Sequence, residues 1–369
     1  MELSRRFITS FEGGAQSAPD DGDYVFDACM GGHQLLASLS NLHIQHYDLE
    51  SGSLAAHFCA HQDRINSIEV SRSNPFLVLS ASSDRTVCLW DLRCKSAAGI
   101  VPQQLVTLPG EVSSASIGVS DVLVAAASGN SVVFFDLRGG PGSRQVGEYA
   151  DAHTDVVTQV KFHPENSSHL VSAAEDGLIC FFNTSVSEEE EAIVSVLNTD
   201  CPVRKFGFFG AAGMEGLYCL STTEIPSFWH VSSAQRLGHF PNVRQELGVD
   251  YLVDCLYCPA TDSLNLVAGT YAGQGLLAHV DPNFISLATA LPAGGHKATI
   301  RCASLVASSA SGVQSFVTGG EDSQLIQWSA PSSAASGSAA AGMSPSSSRA
   351  VHAGNKAKID HSRRAHNPY

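Results

Sequence analysis

Three stretches of the chain repeat one another in register. Residues 60–93, AHQDRINSIEVSRSNPFLVLSASSDRTVCLWDLR, align with 152–183, AHTDVVTQVKFHPENSSHLVSAAEDGLICFFN, and with 295–328, GHKATIRCASLVASSASGVQSFVTGGEDSQLIQW. His61 and His153 precede Asp84 and Asp176 by 23 residues, and each acid precedes an aromatic residue, Trp90 or Phe182, by 6. In the third stretch Asp322 and Trp328 keep the spacing of 6, with His296 three residues earlier than the register expects. A hydroxyl residue stands four before each acid: Ser80, Ser172 and Thr318.

Weaker copies fill the gaps and end at Tyr47, Phe135, Trp229 and Ala278, so the terminal positions step along the chain by 43, 45, 47, 47, 49 and 50 residues. Between these marks the apolar runs are short, rich in Val, Leu and Phe, and broken by Gly, Ser, Asn, Asp and Pro, a strand pattern. Seven copies with a period near 45 predict seven four-stranded blades closed into a ring. The last copy ends at Trp328 with its third strand, so its fourth must come from elsewhere. LSRRFITSF, 3–11, is assigned as that closing strand, which removes the edge an open ring would expose.

Each strong repeat reads as an outer strand d, a loop with the His, then strands a, b and c, with the Asp capping the turn from b to c. Indole, hydroxyl, imidazole and carboxylate then form one buried chain, Trp90–Ser80–His61–Asp84, because a buried carboxylate needs such donors. The same trio resembles a Ser-His-Asp catalytic triad. An enzyme needs one such site with an oxyanion hole, whereas Ser80/His61/Asp84, Ser172/His153/Asp176 and Thr318/His296/Asp322 recur in register, and no G-x-S-x-G elbow is present. The structural reading is therefore preferred. Gly129, Thr223 and Ala272 replace the turn Asp in copies three, five and six, which must rely on apolar packing.

Charge divides the chain. Of 21 basic and 36 acidic residues, the stretch 331–369 holds five basic and one acidic, so it carries +4 and residues 1–330 carry −19. Such a body repels nucleic acid, which leaves only Lys356, Lys358, Arg363 and Arg364 to bind it. PSSAASGSAAAGMSPSSS opens that end as a disordered linker, and SVSEEEEA, 185–192, reads as a solvated loop. No apolar run reaches membrane-spanning length, and the start shows no export signal. The ten cysteines are then expected as reduced thiols in the cytoplasm or nucleus. Cys255 and Cys258 form one C-x-x-C inside an apolar strand, read as buried thiols. His33, His43, His46 and His57 are read as pointing to different faces. Neither a metal site, a cofactor nor a nucleotide loop is expected; Gly139-Gly140-Pro141-Gly142 is a flexible loop with no helix after it.

With Gly-His and Trp-Asp marks on this period, residues 3–330 resemble a WD repeat protein, and AHTDVVTQVKFHPENSSHLVSAAEDGLICFFN, GLYCLSTTEIPSFW, DYLVDCLYCPATDSLNLVAGT, GGHKATIRC and TGGEDSQLIQW are similar to the WD repeat-containing protein 89 family. The resemblance implies an all-β fold: a seven-bladed WD-repeat β-propeller over 1–330, with a disordered C-terminal tail, 331–369. It implies a non-enzymatic adaptor that binds other proteins as a monomeric propeller. Trp90-Asp91-Leu92-Arg93 and Phe135-Asp136-Leu137-Arg138 resemble the W-D-x-R box of substrate receptors for cullin-RING ubiquitin ligases, which implies that Arg93 and Arg138 face a ligase adaptor; alternatively Asp91 and Arg93 pair within the c–d loop. On the opposite face Ser83, Glu175 and Glu321 precede the turn Asp, and Arg64, Arg204 and Arg301 lie near the d–a loops, so all six are candidate partner contacts or an ordinary solvated rim. The basic tail against an acidic body leaves a third reading, a ribosome-biogenesis or RNA-associated factor.

Overall fold

The computed structural model describes residues 4–10, 23–59, 61–96, 99–139, 144–211, 213–281, 284–309 and 312–330. The expected basic tail with Lys356, Lys358, Arg363 and Arg364 lies outside them, as does the glycine loop 140–143. Seven four-stranded antiparallel sheets follow one another around a ring, so the chain is an all-β, seven-bladed β-propeller. Blade one spans 25–58, and blades two to six span 65–107, 112–149, 157–198, 203–239 and 251–290. In blade seven the strands within 300–329 are joined by Ser4–Ser10, which pairs antiparallel with Gln324–Ser329.

The ring has no single core. Seven apolar clusters lie between successive blades, as in the cluster of Leu36, Ile44, Phe58, Ile65, Val78 and Trp90 between blades one and two. Each sheet is therefore apolar on both faces, which is why its b strands read as unbroken runs such as LVLSAS and HLVSAA. Trp90 and Trp328 are almost wholly buried, each contributing about 3 kcal/mol by burial. In blades one to six a β-bulge on the outer strand lies beside this terminal position.

A second bulge recurs at the start of every inner strand a. Phe26, Asn66, Ser113, Thr158, Arg204, Val253 and Arg301 occupy it in blades one to seven. In four blades this side chain donates to the backbone carbonyl of the residue just before the bulge in the next inner strand. Asn66 Nδ2 reaches Val112 O at 2.8 Å, Ser113 reaches Val157 O, Thr158 Oγ1 reaches Val203 O at 2.8 Å and an Arg204 guanidinium nitrogen reaches Leu252 O at 2.8 Å. The residue after the bulge accepts in return: Asp27 from Ile68 N–H, Ser67 from Ala115 N–H, Ser114 from Val160 N–H and Gln159 from Phe206 N–H. These bonds answer backbone groups that the sheets leave unpaired toward the channel.

One reading from the sequence is corrected. The acidic run at 185–192 is not only a solvated loop: Glu189–Ala192 form a short helix, and Ala192 is buried beside Phe182. The Glu189 carboxylate accepts the N–H groups of Ala150, Asp151 and Ala152 at 2.8, 3.1 and 2.7 Å, which pins the turn that presents His153. Charge runs predict solvation, but three unpaired N–H groups form a local anion seat that one of the four glutamates fills.

The closure predicts a consequence for stability. A chain that begins at residue 12 lacks Ser4–Ser10 and leaves strand c of blade seven unpaired along one edge, so its melting temperature falls by at least about 5 °C. Differential scanning calorimetry beside the full chain decides it, and equal melting temperatures would mean that the strand does not hold the ring.

Candidate functional site

The three strong repeats each assemble a continuous side-chain chain. In blade two, Trp90 Nε1 donates to Ser80 Oγ at 2.9 Å, Ser80 Oγ lies 2.7 Å from His61 Nε2, and His61 Nδ1 lies 3.1 Å from Asp84 Oδ2. In blade seven the same links run Trp328 to Thr318 at 2.7 Å, Thr318 to His296 at 2.8 Å and His296 to Asp322 at 2.9 Å. Blade four keeps Ser172–His153–Asp176 at 2.6 and 3.1 Å but ends on Phe182, which packs against Tyr149 at 4.9 Å between ring centres. Each acid also accepts the N–H of the residue after its His, namely Gln62, Thr154 and Lys297. The Asp thus joins the d–a loop to the b–c turn.

Before His296 the chain requires Gly295, because a Cβ there would stand 2.4 Å from the Trp328 ring. The imidazoles are sealed, with side-chain exposure of 0% at His61 and His296 and 1% at His153. Burial lowers the pKa of His61 and His153 below the usual imidazole value, against the pull of Asp84 and Asp176. Burial also acts to raise the Asp84 carboxyl, but the Thr86 hydroxyl, the Gln62 N–H and His61 outweigh it and hold the group below the usual range. A serine whose two neighbours are a buried imidazole and a buried indole has no open side from which to attack a substrate.

The blades without the turn Asp differ. In blade five Trp229 Nε1 turns to Ser227 Oγ on its own strand at 2.9 Å. Blade three packs Phe135 among Leu79, Val87 and Val124. Cys255 and Cys258 are both buried on one strand but belong to different interblade clusters, one on each face of blade six. His43 and His57 meet, with ring centres 6.0 Å apart, contrary to the reading that spread the four histidines over different faces. Counting along one strand misses a diagonal neighbour on the next, where Gln45 pairs with His57. No cluster of metal-ligating side chains exists among the described residues.

The rim residues fall into two groups. At the c–d connections Asp91 accepts from Arg93 Nε and a terminal nitrogen at 2.9 and 2.7 Å, and Asp136 accepts from Arg138 Nε at 3.0 Å in the same local fork. Those arginine side chains remain 58% and 74% exposed. On the face of the d–a and b–c connections, Arg301 pairs with Glu321, Arg64 lies 4.8 Å over the Phe26 ring, and Arg204 is spent on the clasp to blade six with Glu224 at 3.6 Å. Ser83 accepts from Asn66 Nδ2 at 3.0 Å, while Glu175 is exposed.

Sequence reading missed a third group. Asp27, Glu69, Lys161, Lys205 and Asp254 point from the inner strands into a channel cavity of about 840 Å³. Their sign was a polar side chain at alternate positions of each first strand, inside otherwise apolar runs.

Two segments, 52–91 and 144–183, match the family described as WD domain, G-beta repeat. Each match starts on the outer strand of one blade or just before it and ends on strand c of the next, so the sequence repeat is offset from the structural blade by one strand. The chain is 31% identical over 274 residues to the WD repeat-containing protein 89 homolog of Dictyostelium discoideum, covering 72% of this chain and 73% of that one. It is 31% identical over 325 residues to the WD repeat-containing protein GTS1 of Arabidopsis thaliana, covering 83% and 81%. An uncharacterized WD repeat-containing protein of Saccharomyces cerevisiae is 26% identical over 60% of this chain and 58% of its own.

Two outcomes follow from the buried chains. Asp176→Ala strands His153 and costs about 1–3 kcal/mol, whereas Asp155→Ala, at an exposed position two residues after the His, costs under about 0.5 kcal/mol. Equal denaturant midpoints would break the assignment. Because His61 and His153 hold pKa values below 6.5 when folded, the unfolded chain takes up protons that the native state refuses. Their contribution is whole above pH 6.5 and is lost as pH falls through that value toward the folded pKa values. The denaturant midpoint therefore drops from pH 7.5 to about 5.5, and the drop is shallower in His153→Asn.

Proposed function

The chain belongs to the WD-repeat family, and from that premise we propose that it is a non-enzymatic scaffold that binds other proteins. The observation that carries the reading is the fate of the catalytic-looking side chains. Three copies of the hydroxyl–imidazole–carboxylate chain are sealed inside three blades, where each ties a loop to a turn. What remains at the surface is a rigid ring with charged groups on both faces. Such a body recognises partners through its connections, which are free to vary while the blades stay constant.

A second reading is favoured by one specific feature. Arg93 and Arg138 each stand three residues after the terminal aromatic of neighbouring blades, each held by its own aspartate and each with most of its side chain exposed. A planar fork fixed in this way suits backbone carbonyls or carboxylates of a partner. This is the placement by which the protein would serve as a substrate receptor of a cullin-RING ubiquitin ligase.

Affinity purification of the tagged full chain from cells tests both readings. The Arg93→Ala/Arg138→Ala double variant, which removes no buried group, loses at least about tenfold of one set of partners. The Arg64→Ala/Arg301→Ala variant loses a different set from the opposite face. Identical partner profiles for all three proteins would argue against the scaffold reading, and absence of a ligase adaptor from the set lost with Arg93 and Arg138 would remove the second.

A further inference from the structure

The channel carries charge that its architecture does not require. At the position after the inner-strand bulge, Ser67, Ser114 and Gln159 accept an N–H from the next blade with neutral side chains. Asp27 makes the same bond to Ile68 N–H at 3.3 Å with a carboxylate. Two residues further along, Ser116 accepts Phe162 N–H, while Glu69 accepts Ile117 N–H at 3.2 Å and the Ser116 hydroxyl at 3.1 Å through one oxygen. A serine or glutamine suffices for the clasp, so the two negative charges are not needed for it, and each carries a desolvation cost that the channel cations only partly offset.

Nor is a cation in contact with either acid among the described residues: Lys205 acts on Asp27, and Lys161 and Arg72 on Glu69, through space. Lys205 is in contact with Asp254 at 2.6 Å, and Tyr218 donates to the same carboxylate at 2.8 Å, reaching it over Gly207, where a Cβ would stand 2.4 Å from the phenol oxygen. Lys161 lies on the blade-four wall and reaches only Phe206 O, at 3.4 Å. Arg72 is exposed at the mouth, where Glu69 and, more weakly, Glu165 act on it. Burial raises the carboxyls of Asp27 and Glu69 above their usual values, which marks them as under-solvated. The cavity of about 840 Å³ opens among the a–b turns, and its collar there includes Met30, Phe208, Met214 and Tyr257.

We propose that this half of the channel receives one cationic side chain of a partner polypeptide, an arginine in preference to a lysine, paired with the carboxylates of Asp27 and Glu69. The identity of the source rests on the scaffold reading above; the cation chemistry does not. The methylene stem lies along the apolar collar, and the guanidinium fork reaches acids on two neighbouring strands, which a point charge matches less well. Lys161 repels the guest and confines it to the wall of blades one and two.

Titration calorimetry of the full chain tests this with the peptide acetyl-Gly-Ser-Gly-Arg-Gly-Ser-Gly-amide, its neutral citrulline counterpart, its lysine counterpart and free agmatine. The arginine peptide binds at least tenfold more tightly than the citrulline peptide and more tightly than the lysine peptide. Glu69→Gln and Asp27→Asn, which keep the clasp acceptors, each weaken it at least tenfold, and Lys161→Met tightens it at least threefold. Equal affinity for arginine and citrulline on the unaltered protein overturns the proposal even if a variant fails to fold. Indifference to Glu69→Gln also overturns it, and so does uptake of agmatine with refusal of the peptide. Partner capture from cells that persists in Glu69→Gln alongside such a failure leaves the scaffold reading standing and removes only the channel site.

Discussion

Seven inner strands converge on one axis, and each has an edge that no neighbouring strand covers. The rest of the architecture depends on how those edges are satisfied. The chain answers with side chains: a bulged residue donates to the next blade's carbonyl and the following residue accepts the next blade's N–H. Because every such bond runs from one blade to its successor, the blades are locked in a single rotational sense. The apolar clusters between sheets supply most of the burial energy but little direction. The directional bonds hold the register and leave the channel open in the middle.

The Trp–hydroxyl–His–Asp chain works farther from the axis, across the outer strands of the same blades. It joins the outer loop to the b–c turn through groups that are too buried to be left unpaired. That cost explains its uneven use. Where Cys219 stands in place of the strand-b hydroxyl in blade five, the indole turns to Ser227 on its own strand, and where Phe135 or Phe182 stands at the end there is no donor to satisfy at all. Partial chains are thus built without orphans, and the ring tolerates blades of different chemistry.

How much of this was readable beforehand depends on whether the signal was local. The blade count, strand order and partners of His61, His153 and His296 follow from fixed spacings, since each chain closes within a single repeat. The Arg93–Asp91 fork was legible for the same reason, at two residues' separation. The cross-blade clasps were not, because Asn66 and Val112 O are 46 residues apart and serine, threonine, asparagine and arginine all do the same work. The role of Glu189 was hidden too: a run of four glutamates reads as one solvated block, although a single member meets three N–H groups 37 to 39 residues away.

The seams without a bulge donor show what replaces it. Phe26, Val253 and Arg301 occupy the position in three consecutive blades, six, seven and one, where the ring closes. Between blades six and seven the Tyr251 hydroxyl accepts Ile300 N–H at 2.7 Å. Between seven and one, Gly319 lets Val25 approach so closely that a Cβ would stand 2.4 Å from a valine methyl, and between one and two Gly31 does the same for Val70. Arg64 then covers the Phe26 ring. At the last two of these seams close apolar contact stands in place of the bulge donor, and it requires glycine on one side. The bulge side chain of blade seven is thereby free to pair within its own blade, so Arg301 with Glu321 is available at the d–a face where the corresponding Arg204 is not.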